Sequence, residues 1–266
     1  MKKKYQMSSY ISVENYNDFD PENIIFDAAK SFQGESGQKF HRIPIKYKYP
    51  DGNTSGLVLE TPDLFTFGIS NGNGAFKKEI ATPQLTLVTF DAKCGPTKIQ
   101  TKFIAICNEI LAKIKTHMSL EDTKDEIGKW DIDNDIKSMR IFYIKTDKGK
   151  PIKGAPPMLY SKLYYNVVDG EQIITTRIVD WHTDAVIPPK PFLGRGTVFC
   201  TLYFTNIFIG AKPSIQTRIG EIMVKSQMER VNMLKSKVAE EKAETVNYNE
   251  PPTPVLKLKS FVKHNK

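Results

Sequence analysis

The sequence predicts a mainly β (α+β) protein: a partly open barrel of strands, with a central amphipathic helix and a C-terminal extension. Three observations carry that prediction. Several segments alternate apolar and polar residues with a period of two, the signature of half-buried strands. A single long segment repeats its apolar residues at spacings of three and four, as a helix lying on a core does. Clusters of Gly, Asp and Pro, such as Pro50-Asp51-Gly52-Asn53 and Pro188-Pro189-Lys190-Pro191, punctuate the strands at turns.

Residues 1–39 read as a polar, irregular leader, with one helical turn after Asp20-Pro21. From Phe40 to Tyr49 the alternation is sharp. Ile43, Ile45, Tyr47 and Tyr49 point to one face, and Arg42, Lys46 and Lys48 to the other. Leu57 to Leu59 returns as a second strand. Leu64 to Ile69 follows, with Phe65, Phe67 and Ile69 on one face and assigned to the core. A loop holding Gly72 and Gly74 leads to a strand at Leu85 to Phe90. After Gly95-Pro96, Thr97 and Gln100 make a capping-box pattern at a helix start. Ile99, Phe103, Ile106, Ile110, Ile114 and Met118 then form one apolar stripe. The second half is strand-rich: Met139 to Ile144, Leu159 to Val168, Gln172 to Val179, Thr197 to Thr205 and Ile215 to Val224 are dense in aromatic and β-branched residues. Strands on both sides of one helix, with irregular connectors, fit a barrel better than a βαβ sheet.

Three segments result: a leader at 1–39, a folded domain at 40–225, and a tail at 226–266. The tail combines a helix-forming stretch, the stiff Glu250-Pro251-Pro252-Thr253-Pro254 link and a short basic, apolar end. That end, with Leu256-Lys257-Leu258-Lys259, suits an arm that adds to a sheet edge and so permits self-association.

Charge points to a class of partner. Of the net +8, the leader contributes −1, the tail +3 and the middle +6. A basic excess within the folded part suits a polyanion. Cys94, Cys107 and Cys200 are odd in number and widely spaced, which argues for a reducing compartment rather than a disulfide framework. Met1-Lys2-Lys3-Lys4 is followed by no apolar run, and no stretch reaches the ~20 apolar residues of a membrane span. The expectation is an intracellular, soluble protein with no membrane partner.

Motifs for catalysis or metals do not close. Asp131, Asp133 and Asp135 mimic the start of a calcium loop. Ile136 stands where the Gly is required, however, and Phe142 where the Glu is, so a solvated acidic turn is expected. The Cys and His spacings hold no zinc pattern. Asp180-Trp181-His182-Thr183-Asp184 could seed a metal-dependent nuclease, but a lone His between carboxylates in a polar loop is more often structural. The glycines near Gly72 lack the Gly-Lys-Ser/Thr ending of a phosphate loop. No catalytic residue, metal or cofactor is expected.

Basic residues interleaved with aromatics remain. A single nucleic-acid strand needs cations along its backbone and flat side chains on which its bases stack. Tyr160, Lys162 and Tyr164 alternate onto one face. Arg177 lies in a Thr-rich strand with Trp181 just beyond it, Arg218 shares a face with Gln216, and Arg195 sits between two glycines near Phe192. The expected phosphate contacts are Lys46, Lys48, Lys162, Arg177, Arg195, Lys212 and Arg218. Lys46 and Lys48 rank first, because their strand separates basic and apolar faces most cleanly. The expected stacking residues are among Tyr160, Tyr164 and Trp181.

Four blocks add a resemblance. Ile43-Pro44-Ile45-Lys46-Tyr47-Lys48-Tyr49, the run from Leu59 to Gly68, Leu159-Tyr160-Ser161-Lys162-Leu163 and the run from Phe208 to Gln216 resemble segments of a family from nucleocytoplasmic large DNA viruses. These are viral single-stranded-DNA-binding proteins of OB-fold type, and the likeness spans roughly residues 40–225. It implies an elaborated OB-type barrel that coats single-stranded DNA with little sequence preference. The implied setting is viral DNA replication, recombination or repair, at a replication site in the host cytoplasm or nucleus, or in the virion. Single-stranded DNA is the implied partner, with RNA as the alternative and viral replication proteins as further partners. A virion scaffold protein, using the same sheet faces for protein contacts, is the rival reading.

Overall fold

The computed structural model describes residues 10–34, 37–71, 82–127, 132–189 and 195–227. Among the described residues fourteen strands run in chain order: β1 (Ile24–Phe26), β2 (Lys30–Gln33), β3 (Lys39–Lys48), β4 (Thr54–Glu60), β5 (Leu64–Asn71), β6 (Pro83–Val88), β7 (Thr146–Asp147), β8 (Lys150–Pro151), β9 (Met158–Leu163), β10 (Tyr165–Val168), β11 (Glu171–Ile174), β12 (Arg177–Asp180), β13 (Gly196–Ile209) and β14 (Pro213–Gln227). Helices α1 (Lys98–Met118), α2 (Glu121–Ile127) and α3 (Ile132–Ser138) lie between β6 and β7. The protein is mainly β.

A ten-stranded sheet closes on itself. The long hairpin β13–β14 is its spine, paired from Gly196↔Gln227 to Ile209↔Pro213. From β13 the pairing passes to β5, then β6, β9 and back to β14, so that five strands form a ring. Parallel β12 flanks β14, while β3 and β4 cover the rest of β13. Alternation fills the inside: Leu64, Leu85, Leu87, Leu159, Leu163, Val198, Leu202 and Ile219 are almost fully buried.

Helix α1 begins at the expected capping box, in which the Thr97 side chain accepts from the Gln100 N–H and Gln100 Oε1 from the Thr97 N–H. Its buried stripe is Phe103, Ile106, Cys107, Ile110, Ile114 and Met118. Ile99 is 47% exposed. The stripe therefore starts one turn later than the spacing suggests, because the first turn projects beyond the core.

Four expectations are corrected. The described part of the leader has the turn after Asp20-Pro21 but is not simply polar and irregular. Ile11, Tyr16 and Ile24 are buried in the core, and β1 pairs with β3. Two 3-10 turns, Val13–Asp18 and Pro21–Asn23, lay it along α1, where Glu22 pairs with Lys113 at 2.6 Å and the Phe26 ring stacks on His117 at 4.1 Å. Its apolar residues are too few and too irregularly spaced to show a period. Next, Phe65 and Phe67 face outward, Phe67 being 49% exposed, because Leu64 and Thr66 take the inner positions. A register shift at Gly68, whose φ is +91°, then turns Ile69 inward. Finally, Met139 to Ile144 is not a strand: only Tyr143 bridges to Met158, and Asp133 and Asp135 lie in helix α3 instead of an acidic turn. Asp131, the loop with Gly72 and Gly74, and the tail from residue 228 fall outside the described residues.

Candidate nucleic-acid interface

The outer face of the ring gathers cations and rings across β13, β14 and β9 and where β3 pairs with β13. Tyr203 on β13 stands opposite Arg218 on β14, which stands opposite Lys162 on β9, which stands opposite Gln84 on β6. Neighbouring strands lie ~4.8 Å apart, so these side chains form a row across the sheet. The Arg218 guanidinium sits 5.2 Å from the centre of the Tyr164 ring, and Tyr164 meets Tyr203 edge-on at 6.5 Å. At the end of the spine hairpin, Phe208 stands opposite Arg42. The Arg42 guanidinium lies 5.0 Å from the Phe32 ring and 5.1 Å from the Phe40 ring, and Phe32 and Phe40 stack at 5.4 Å. In the other direction along β9, Tyr160 packs edge-on against Tyr143 at 5.2 Å, with Arg140 over Tyr143 at 4.8 Å.

Lys162 is the electrostatic centre of this face. Its Nζ donates to Gln216 Oε1 at 2.7 Å, a neutral partner. Desolvation holds its pKa below the ordinary lysine value, and the positive charges of Arg218 and Arg42 lower it further. Among the described residues the ion pairs lie elsewhere: Lys46–Asp27, Lys113–Glu22, Lys124–Glu121, Arg177–Glu221 and Lys225–Asp63. Among the described residues none of Arg42, Lys162 and Arg218 has a carboxylate within ion-pair distance, and the two guanidiniums repel the Lys162 charge. An anion placed among them relieves that repulsion.

A glycine shapes the platform. A Cβ built on Gly220 would come within 2.5 Å of the Tyr203 ring, so that ring lies against bare backbone. Gly220→Ala is therefore expected to tilt Tyr203 off the sheet. A changed Tyr203 ring environment by NMR, with the overall fold kept, checks this.

Of the sequence-derived candidates, the structure brings together Tyr160, Lys162, Tyr164 and Arg218, and Lys212 lies exposed in the β13–β14 turn just past Phe208. The others sit apart. Lys46 is engaged by Asp27 at 2.8 Å, and Lys48 is exposed at the far end of β3. Four to six residues separate them from Arg42, or about 14–20 Å along the strand. Arg177 is paired with Glu221. Trp181 packs edge-on against Phe199 at 5.0 Å under Lys225, lining a pocket of about 490 Å³ together with Pro62, Ile99 and Gln100. Lys225 is seven residues beyond Arg218, ~23 Å along β14. Arg195 is exposed beside Phe67, its guanidinium 5.8 Å from that ring. Phe192 lies outside the described residues. Arg42, Phe32, Phe40 and Tyr203 join this candidate surface although the sequence reading did not select them.

Asp180 Oδ1 accepts the N–H groups of His182 and Thr183 at 2.9 Å each and the Thr183 hydroxyl at 3.0 Å. These bonds, the Thr183 contacts first, lower its pKa. They make Asp180 the organiser of its own turn. Among the described residues no group of three or more His, Cys, Asp or Glu side chains is placed to hold a metal ion.

The family described as "Protein of unknown function (DUF2738)" matches residues 18–258. The chain belongs to that family. Its match begins within the leader, before the Pro21–Asn23 turn and β1. A relative from a large DNA virus, the "Early 31 kDa protein" of Frog virus 3 (isolate Goorha), is 28% identical over 209 residues, 77% of each chain. The viral kinship expected from the sequence blocks is shown by that relative. Two solved structures of the single-stranded DNA-binding protein from bacteriophage Enc34 are also similar. The one in complex with ssDNA has a TM-score of 0.39 at 8% identity, covering 70% of this chain and 93% of that one. The other has a TM-score of 0.36 at 9% identity, covering 80% and 99%. Among the described residues no helix is long and apolar enough to cross a membrane.

Proposed function

We propose that this protein binds single-stranded DNA across the outer face of its five-stranded ring, with little sequence preference and without catalysis. The ring is read as the barrel of an elaborated OB fold. The carrying observation is the group Arg42, Lys162 and Arg218, none of them ion-paired among the described residues, set among Phe32, Phe40, Tyr164 and Tyr203. Phosphates fit between the cations, and unpaired bases can stack on the partly exposed rings: Phe32 is 40% and Tyr164 37% exposed. A duplex hides its base faces and gains only the charge contacts. The proposed setting is viral DNA replication, recombination or repair.

Photo-crosslinking a bromodeoxyuridine-substituted single strand, followed by peptide mapping, tests the assignment. Crosslinks are expected at Tyr164, Tyr203 and Phe32. Crosslinks confined to peptides containing Lys46 and Lys48, or Trp181, would overturn it.

Two further outcomes follow from the geometry. A phosphate beside Lys162 raises its lowered pKa, so binding takes up a proton in the pH range between the free and bound values. Affinity is therefore expected to fall as pH rises through that range. Lys162→Arg, which keeps its charge, should flatten the dependence in anisotropy titrations. Trp181→Ala is expected to lower the melting temperature while leaving affinity within about twofold, because its ring packs on Phe199 far from the cluster. Thermal unfolding and titration of the same sample separate the two effects.

A further inference from the structure

The ribbon β10–β11 does not belong to the main sheet; it pairs only with itself. Its turn is Asp169-Gly170, both at positive φ. Residues 165–174 contain Asp169 and Glu171 and no Lys or Arg, in a protein of net charge +8. Val167 and Ile173 are each 50% exposed and Val168 47%. Cross-strand pairing puts Val167 with Gln172 on one side and Ile173 with Asn166 on the other, so apolar side chains meet water on both faces. A two-stranded ribbon of this kind is marginal in water. An acidic ribbon beside the Tyr164–Arg218 cluster is also a poor surface for a phosphate chain.

The same chain carries its counterpart. The ribbon β7–β8 and its flanks, residues 144–153, hold Lys145, Lys148, Lys150 and Lys153 against a single acid, Asp147. Ile144 is 47% and Ile152 38% exposed. This ribbon too pairs only with itself. The two surfaces match in both respects: apolar side chains meet apolar side chains, and acidic meets basic.

We propose that copies of this protein associate head to tail, the acidic β10–β11 ribbon of one copy docking on the basic β7–β8 ribbon of the next. Each copy keeps one free ribbon of each kind, so the contact is heterologous and propagates. The association does not require the nucleic-acid reading. On a single strand it would make coating cooperative.

Sedimentation of the full chain at low salt, without nucleic acid, tests it through a charge-swap cycle. The weight-average mass should rise with protein concentration and fall back with added salt. Asp169→Lys with Glu171→Lys, which makes the acidic ribbon basic, should reduce association at least tenfold, and so should Lys150→Glu with Lys153→Glu, which leaves the basic ribbon with a net negative charge. Combining all four substitutions in one chain should restore it, an outcome that misfolding or general charge effects do not produce. A wild-type mass that stays monomeric at every concentration overturns the proposal, and so does association that the single-ribbon variants leave unchanged. Binding to an oligonucleotide too short for two copies, read in parallel, should be kept in every variant, shifted only modestly by the changed charge. If Lys150→Glu with Lys153→Glu abolishes that affinity without changing the mass, the basic ribbon is a DNA-binding arm and the proposal fails. Loss of short-strand binding by the wild type would instead refute the single-strand reading and leave the self-association result standing.

Discussion

Replacing Arg42, Lys162 and Arg218 together with alanine is expected to flatten the salt dependence of single-strand binding by about two units of slope, at ~0.7 per phosphate contact. At 50 mM salt the same relation implies an affinity loss on the order of a few hundredfold. The fold should survive. All three side chains lie on the outer face, and their removal relieves the repulsion of Arg218 and Arg42 on the desolvated Lys162 charge. Lys46→Ala with Lys48→Ala is expected to do much less, since Asp27 already engages Lys46 and both lie away from the cluster. Fluorescence anisotropy over a salt series compares the two sets. Equal losses in both would mean that the charge is read diffusely, without the cluster.

Deleting residues 1–26 is expected to unfold the domain. That segment buries Ile11, Tyr16 and Ile24 in the core, with Phe19 packed against it. Each such side chain contributes ~1.5–3 kcal/mol on burial. Four of them approach the whole stability of a typical domain, about 5–15 kcal/mol. The deletion also strips β1 from β3 and removes the Tyr16 hydroxyl that donates to the Glu60 carbonyl. Tyr16→Ala alone should cost roughly 3–5 kcal/mol, read as a lower denaturation midpoint. A truncated chain that stays folded, with a cooperative transition near the full-length one, would restore the leader reading.

Where one face of an element is dry and the other wet, the sequence was readable. β3 shows this, since Ile43, Ile45, Tyr47 and Tyr49 are buried, and so does α1 with its capping box. Phe65 and Phe67 misled because an aromatic strand face looks like a core face. Only the register opposite β13 shows that Leu64 and Thr66 point in. The candidate site was half legible. Tyr160, Lys162 and Tyr164 alternate onto one face within a single short segment, and Arg218 follows the same logic. Arg42, Phe32 and Phe40 come from 120 or more residues away, and only pairing through β13 brings them to the cluster. Period-two reasoning finds the faces of a strand; it does not find which strands are neighbours. Lys46 illustrates the complementary failure, because its partner Asp27 lies in a segment whose pairing with β3 has no local signature.

The most direct test of the central claim is an anisotropy titration of the full chain with a single strand and with a duplex of the same length, over several salt concentrations. The cluster geometry predicts single-strand binding whose log affinity falls with log salt at a slope of about −3 to −4, much weaker duplex binding, and a slope reduced by about two in the Arg42, Lys162 and Arg218 triple variant. Equal affinity for duplex and single strand across the salt range, with the triple variant matching wild type, would contradict it.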